Sequence, residues 1–198
     1  MRIILASKSP RRREILSMLG VEFEILSADA DESSDISDPK ALVRELALRK
    51  GRATRELLRA DGKWDDNTLV IASDTVVAIG DRILGKPRDA ADAKEMLRTL
   101  SGNDHHVISG VALLMGEREI AAFDATAVHF AEMTEAEIDW YVQSGEPDDK
   151  AGAYAVQGLA SLWIKGLDGD YFNVVGLPVY RLNLLCREFL GKSLTELA

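Results

Sequence analysis

RIILASKSPRRREIL, residues 2–16, joins an apolar run to a helix start within a few residues, and its reading decides the fold. Residues 2–6 are a short buried strand by their composition. Ser9 then stands at the N-cap position and Pro10 at the first helical position, where a missing N–H costs nothing. Ile15, Leu16 and Leu19 make one apolar stripe, and Gly20 closes the helix. A buried strand feeding an amphipathic helix is the opening of an α/β unit.

The remainder of the chain continues the pattern. Residues 21–27 (VEFEILS) alternate like a strand and run into an acidic loop, ADADESSDISD, at 28–38. Asp38-Pro39 opens a second helix whose apolar positions Leu42, Val43, Leu46 and Ala47 continue past Lys50-Gly51 towards Leu58. The glycine is expected to bend or weaken it. Residues 68–73 (TLVIAS) are an apolar β-run expected to stop at Asp74-Thr75, and VVAIGDRIL then reads as a hairpin turning at Gly80-Asp81. Asp89 caps a helix to Leu100 with Asp92 in the capping-box position, and two strands follow around MGERE between 107 and 131. Thr134 and Glu137 form a second capping box. A loop at 146–153, strands around an Asp168-Gly169 turn, and a helix from about Val179 to Leu190 complete the chain. No repeat appears and no linker separates independent domains, so the expectation is one α/β domain, a mixed sheet with helices packed on it.

Composition limits the function. The chain has 198 residues, 46% of them hydrophobic, enough for one substantial core. With 24 Lys+Arg against 33 Asp+Glu its net charge is −9, which argues against a sequence-independent duplex binder, since that task needs basic surface to displace counterions. A single cysteine, Cys186, lies among apolar residues in LNLLCREFL and reads as a small buried hydrophobe. It rules out a disulfide framework, as expected in a reducing compartment. The first residues are too short for a signal h-region and no apolar run reaches membrane-spanning length, so a soluble, cytoplasmic protein is expected.

Against that acidic background, Arg11, Arg12 and Arg13 crowd the first turn of a helix. A helix start already carries about half a positive elementary charge, so these side chains oppose the dipole and cost stability unless an anion arrives. Phosphate fits, because backbone N–H groups, a serine hydroxyl and guanidinium forks converge there. The alternative is a solvated basic surface paired with the plentiful acids. Lys50, Lys86 in GKP and Lys150 in DDKAG each border a glycine or proline turn where a backbone approaches a ligand closely. Each is either a surface charge or part of a triphosphate site.

Asp74, at the end of its apolar run, has two readings. A carboxylate there can take a proton from water or help hold Mg²⁺, or it can cap the following turn through its own side chain. Glu32 in the acidic loop is a second metal candidate or a solvated acid. His105, His106 and His129 have no metal-ligand spacing and no serine sits in a nucleophile elbow, so a covalent mechanism has no support. Trp64, Trp140 and Trp163 read as core or partly exposed packing residues.

Five ordered segments, LASKSPRR (5–12), ASDTVV (72–77), GKPRD (85–89), LSG (100–102) and DKAGAYAVQG (149–158), resemble the motifs of the Maf family of nucleoside triphosphate pyrophosphatases along essentially the whole chain. The acidic stretch 28–38 is the least family-like part. The resemblance implies an inosine-triphosphatase-like fold in which a mixed, twisted sheet is flanked by helices, with two lobes and a central cleft in one domain, 1–198. It implies a house-cleaning hydrolysis of a nucleoside triphosphate between the α and β phosphates, with a divalent cation (Mg²⁺, Mn²⁺ or Co²⁺) as cofactor. It also suggests a homodimer, while the net charge of −9 and the lack of a spanning apolar run lead to the expectation of no nucleic-acid or membrane partner. By motif, Asp74 matches the proton acceptor. Ser7, Arg12, Lys50, Lys86 and Lys150 match phosphate-binding positions, and Glu32 joins Asp74 at the metal.

Base preference in the family follows three positions. Enzymes acting on dTTP and UTP carry Arg, Thr and Gln, and those acting on 7-methyl-GTP carry Trp, Gln and Glu. Here they are Arg11, Thr75 and Gln157, the pyrimidine set. The chemistry agrees, because a glutamine amide offers one donor and one acceptor to a uracil or thymine edge. The remaining alternatives are a nucleotide-binding regulator without hydrolysis and a 7-methyl-GTP pyrophosphatase.

Overall fold

The computed structural model of the protein describes residues 1–198. Seven strands and six α-helices follow one another along it: β1 (Arg2–Ala6), α1 (Pro10–Met18), β2 (Glu24–Ile25), α2 (Pro39–Ala60), β3 (Thr68–Ile79), β4 (Arg82–Leu84), α3 (Ala90–Leu100), β5 (Asp104–Met115), β6 (Arg118–Phe130), α4 (Glu135–Gln143), β7 (Ile164–Asp168), α5 (Tyr171–Val175) and α6 (Val179–Leu190). The strands form one sheet in the order β2-β1-β3-β5-β6-β7, with β4 paired to β3. This is the mixed α/β class expected. The chain divides into two compact units. The first comprises Met1–Asp74, Ser109–Asp124 and Gly176–Ala198, and the second Thr75–Ile108 and Ala125–Val175.

In the first unit β1 runs parallel to both neighbours, pairing Ile4 with Glu24 and Leu5 with Ile25 on one side and Arg2 through Ala6 with Thr68 through Ala72 on the other. Ile4 and Leu5 are fully buried, as a strand between two parallel partners requires. The expected strand at 21–27 shrinks to Glu24–Ile25 because its ladder with β1 has only those two rungs. Asp38 starts α2 by accepting N–H bonds from Lys40 and Ala41, with Pro39 in the first turn. Val43, Leu46, Ala47, Gly51, Thr54 and Leu58 are its buried residues, and the helix packs Ala47 and Leu58 with Ile4, Val70, Ala72, Ala112 and Leu114. α2 runs unbroken through Gly51. A Cβ there would collide with Leu114, so the glycine serves close packing where sequence alone suggested a weak point.

In the second unit the last part of β3 turns at Gly80, whose φ of +53° suits glycine, and pairs with β4 as Val77–Leu84, Ala78–Ile83 and Ile79–Arg82. β3 does not stop at Asp74-Thr75, because the buried Val76 and Val77 carry it on to Ile79. Asp89 caps α3 through the Asp92 N–H, but Asp92 returns its bonds to Arg88, one residue outside the expected box. The Thr134–Glu137 box starts α4 as expected. Leu97, Leu100, Phe130, Ile138, Tyr141, Tyr154 and Trp163 form the core. After β7 the chain makes α5 where a strand was expected. Asp170 caps the Phe172 N–H, and the buried Asn173 amide donates to the Val107 carbonyl and the Thr126 hydroxyl. α6 lies where its periodicity placed it, with Cys186 fully buried and its thiol pushed up to about 12 by burial. No helix is long and apolar enough to cross a membrane.

Candidate functional site

The first unit holds six of the candidate residues, Ser7, Arg11, Arg12, Glu32, Lys50 and Asp74. β1 ends at Ala6, and Ser7, only 6% exposed, occupies the turn into α1. Its hydroxyl accepts the Ser9 N–H at 3.2 Å and an Arg12 Nη1–H at 3.3 Å. Arg12 donates its Nε–H to the Gly176 carbonyl at 2.7 Å, and the buried Ser73 hydroxyl donates to the same oxygen at 3.0 Å. The guanidinium plane is therefore fixed at both ends. Burial pushes the Arg12 pKa down, Asp74 pulls it up and Arg11 adds to the depression. A guanidinium remains a cation at neutral pH. The first turn of α1 holds no acid, and the Ser9 side chain makes no cap bond there. Arg11 is half-buried and Arg13 exposed.

Asp74 lies inside β3, 6% exposed, and its Oδ1 is 2.5 Å from the Lys50 ammonium on α2. The same ammonium is 3.0 Å from Glu32 Oε1. One lysine thus bridges the two carboxylates proposed from sequence. Turn-capping by Asp74 gives way to this pairing, because the strand continues and no turn exists at that point. Glu32 sits on the acidic loop, which Arg49 holds by donating to the Ser33 carbonyl at 2.7 Å and the Asp31 carbonyl at 3.4 Å, while its Nε bonds Glu45 at 2.8 Å. Ser73, Gly176 and Arg49 were not legible as site residues. Their roles run through backbone carbonyls or a loop bond, which have no motif.

The second unit holds Thr75, Lys86, Lys150 and Gln157. Lys86 is exposed on the turn after β4, and the adjacent Gly85 carbonyl accepts the Gly152 N–H at 3.0 Å, so the GKP and DKAG segments are tied together. Lys150, with a 14% exposed side chain, donates to the Glu146 carbonyl at 3.0 Å and pairs with Asp149. Gln157 is exposed on the loop before a short 3-10 turn, Leu159–Trp163. Glu146 and Tyr141, which no sequence motif singled out, hold that loop. Thr75 is half-buried within β3. His129 lies between Asp104 (3.0 Å) and Asp168 (3.1 Å), which raises its pKa; His105 is buried against Tyr154 at 2.7 Å, and burial lowers its pKa to about 4. None of these histidines belongs to a cluster able to hold a metal.

The chain belongs to the Maf-like family, whose model matches residues 2–189. It is 45% identical to a protein of Symbiobacterium thermophilum named dTTP/UTP pyrophosphatase, covering 94% of this chain and 93% of that one. It is likewise 45% identical to the dTTP/UTP pyrophosphatase of Alkaliphilus oremlandii, over 97% of this chain and 98% of that one. Among solved structures, the Ham1 protein of Staphylococcus aureus aligns with a TM-score of 0.46 and 15% identity, covering 67% of this chain and 73% of that one.

Proposed function

We propose, from membership of the Maf-like family, that this chain hydrolyses dTTP and UTP to the nucleoside monophosphate and pyrophosphate, and that residues 1–198 act as one catalytic domain. The observation that carries the reading is a nearly buried carboxylate, Asp74, held by Lys50 in a chain 45% identical to dTTP/UTP pyrophosphatases over 94% of its length. Asp74 is the proton acceptor. Its Oδ1 is engaged by the Lys50 ammonium. A triphosphate offers that ammonium more negative oxygens, so substrate draws Lys50 towards phosphate and leaves Asp74 to orient and deprotonate a water.

The Arg12 Nε bonds the Gly176 carbonyl, which orients the guanidinium to stabilise the charge growing on pyrophosphate as the bond breaks. Ser7 and the N–H groups at the start of α1 add donors. Lys86 and Lys150 bind phosphate and Arg11, Thr75 and Gln157 select the pyrimidine, roles supported by their match to the family motifs.

The donor set suits a divalent cation. Glu32 and Asp74 direct oxygens at one ammonium, 3.0 and 2.5 Å away, so two hard ligands already share one cation position. A Mg²⁺, Mn²⁺ or Co²⁺ ion held by them with phosphate oxygens would neutralise charge on the substrate. The test is a panel of normal and modified nucleoside triphosphates assayed for pyrophosphate with each of these cations. Release from dTTP and UTP ahead of purine and 7-methyl-GTP substrates is expected; binding with no pyrophosphate released would make the protein a nucleotide sensor and end the proposal.

A further inference from the structure

Glu146 follows Gly145 at the end of α4 and has no place in the mechanism above, yet its side chain is committed to one short segment of chain. Oε2 accepts the Leu159 N–H at 2.9 Å, and Oε1 accepts the Ala160 N–H at 3.4 Å and the Tyr141 hydroxyl at 2.7 Å. Leu159 and Ala160 open the 3-10 turn Leu159–Trp163, whose starting Gly158 supplies no side-chain cap. The carboxylate therefore does from a distance what an N-cap residue does locally. Tyr141 is fully buried on α4, and its hydroxyl also accepts the Ala155 N–H at 3.3 Å. Glu146 and Tyr141 thus hold residues 155–160 at both ends, with Gln157 between the anchors.

Two further observations fit the same role. A Cβ on Gly158 would collide with the Glu146 carboxylate, so the acid rests directly on the backbone next to Gln157. The Glu146 main-chain carbonyl accepts from the Lys150 ammonium at 3.0 Å. One residue thereby sets the loop of the base-reading amide through its side chain and a phosphate-binding lysine through its backbone.

We infer that Glu146 is a positioning residue for nucleotide recognition: with Tyr141 it fixes the Gln157 loop, and so sets pyrimidine preference without touching substrate. This rests on the proposed function, which gives Gln157 and Lys150 their roles. Glu146→Ala leaves two amides and a buried phenol without their acceptor. In the full-length protein, the expected result is a KM for dTTP raised about tenfold, with kcat changed far less, and a shrunken preference for dTTP over GTP. Glu146→Gln, which keeps one acceptor oxygen, recovers part of the loss. In a Gln157→Ala background, Glu146→Ala costs little further selectivity, because both act through one contact. Hydrogen exchange reads the tether without any turnover: the Leu159 and Ala160 amides lose protection in Glu146→Ala.

An active wild type, with Glu146→Ala at unchanged KM, selectivity and amide protection, overturns the positioning role alone. Additive losses in the double variant overturn it too. A wild type that releases no pyrophosphate from any triphosphate overturns the functional reading, and the role with it. If Glu146→Ala shows no cooperative thermal transition, Tyr141→Phe decides: it keeps the ring and removes the hydroxyl, and an unchanged KM and selectivity there overturn the inference.

Discussion

Two regions of this molecule hold charged side chains in opposite ways. Around Asp74 the partners are other charges: Lys50 bridges Asp74 and Glu32, and Arg12 feels Asp74 and Glu32 together. Around Glu146 the partners are neutral donors, two backbone N–H groups and a phenol. A charge held by a mobile opposite charge can exchange it for another, as phosphate hydrolysis requires. A charge saturated by fixed dipoles exchanges nothing and stays in place. The first arrangement suits chemistry and the second suits alignment.

The largest expected effect separates the two directly. Asp74→Asn should lower pyrophosphate release by about 10³-fold while nucleotide binding stays measurable, since an amide no longer accepts the proton. Turnover near the wild-type rate, measured by phosphate coupling, would place the chemistry elsewhere. A smaller effect probes the fixed region. Thr134→Ala removes the capping box of α4, the helix that carries Tyr141, and should cost about 1 kcal/mol in denaturant unfolding without lowering kcat appreciably.

The smallest effect is a pH signature of the second unit. Hydrogen bonds to Asp104 and then Asp168 raise the His129 pKa, so its contribution is fully present below the unfolded value near 6.5 and is lost as pH rises through the higher folded value. His105 has the opposite sign. Burial lowers it to about 4, so its contribution is present above 6.5 and is lost as pH falls towards 4. Melting curves across this range should show His129→Gln trailing wild type on the acid side and converging with it at alkaline pH. A gap that widened with pH would contradict the carboxylate sandwich.

Local chemistry made much of the fold readable. Ser9-Pro10, Asp38-Pro39, the Thr134–Glu137 box and the apolar spacing of α6 each fix a boundary through bonds or φ angles within a few residues. The misreadings came where distant partners decide. Asp74 looked like a strand end, but Lys50, 24 residues away, gives its carboxylate a partner and the strand passes through. A strand was expected after the Asp168-Gly169 turn, but Asp170 and the buried bonds of Asn173 accompany a helical turn at Tyr171–Val175.

Within the site the same division holds. Asp74, Lys50, Arg12 and Glu32 were candidates because their side chains carry the charge that the chemistry needs. Gly176 was invisible because its contribution is a carbonyl, which every residue has. Arg49 and Glu146 were invisible because an arginine or glutamate serving a backbone looks, in sequence, like any surface charge.

The bond from Arg12 to Gly176 spans 164 residues, nearly the length of the polypeptide. During synthesis the arginine is made 164 residues before its carbonyl partner. No nascent or truncated chain ending before that glycine can orient the guanidinium this way. A chain cut between the two keeps the arginine but loses the bond that holds its plane.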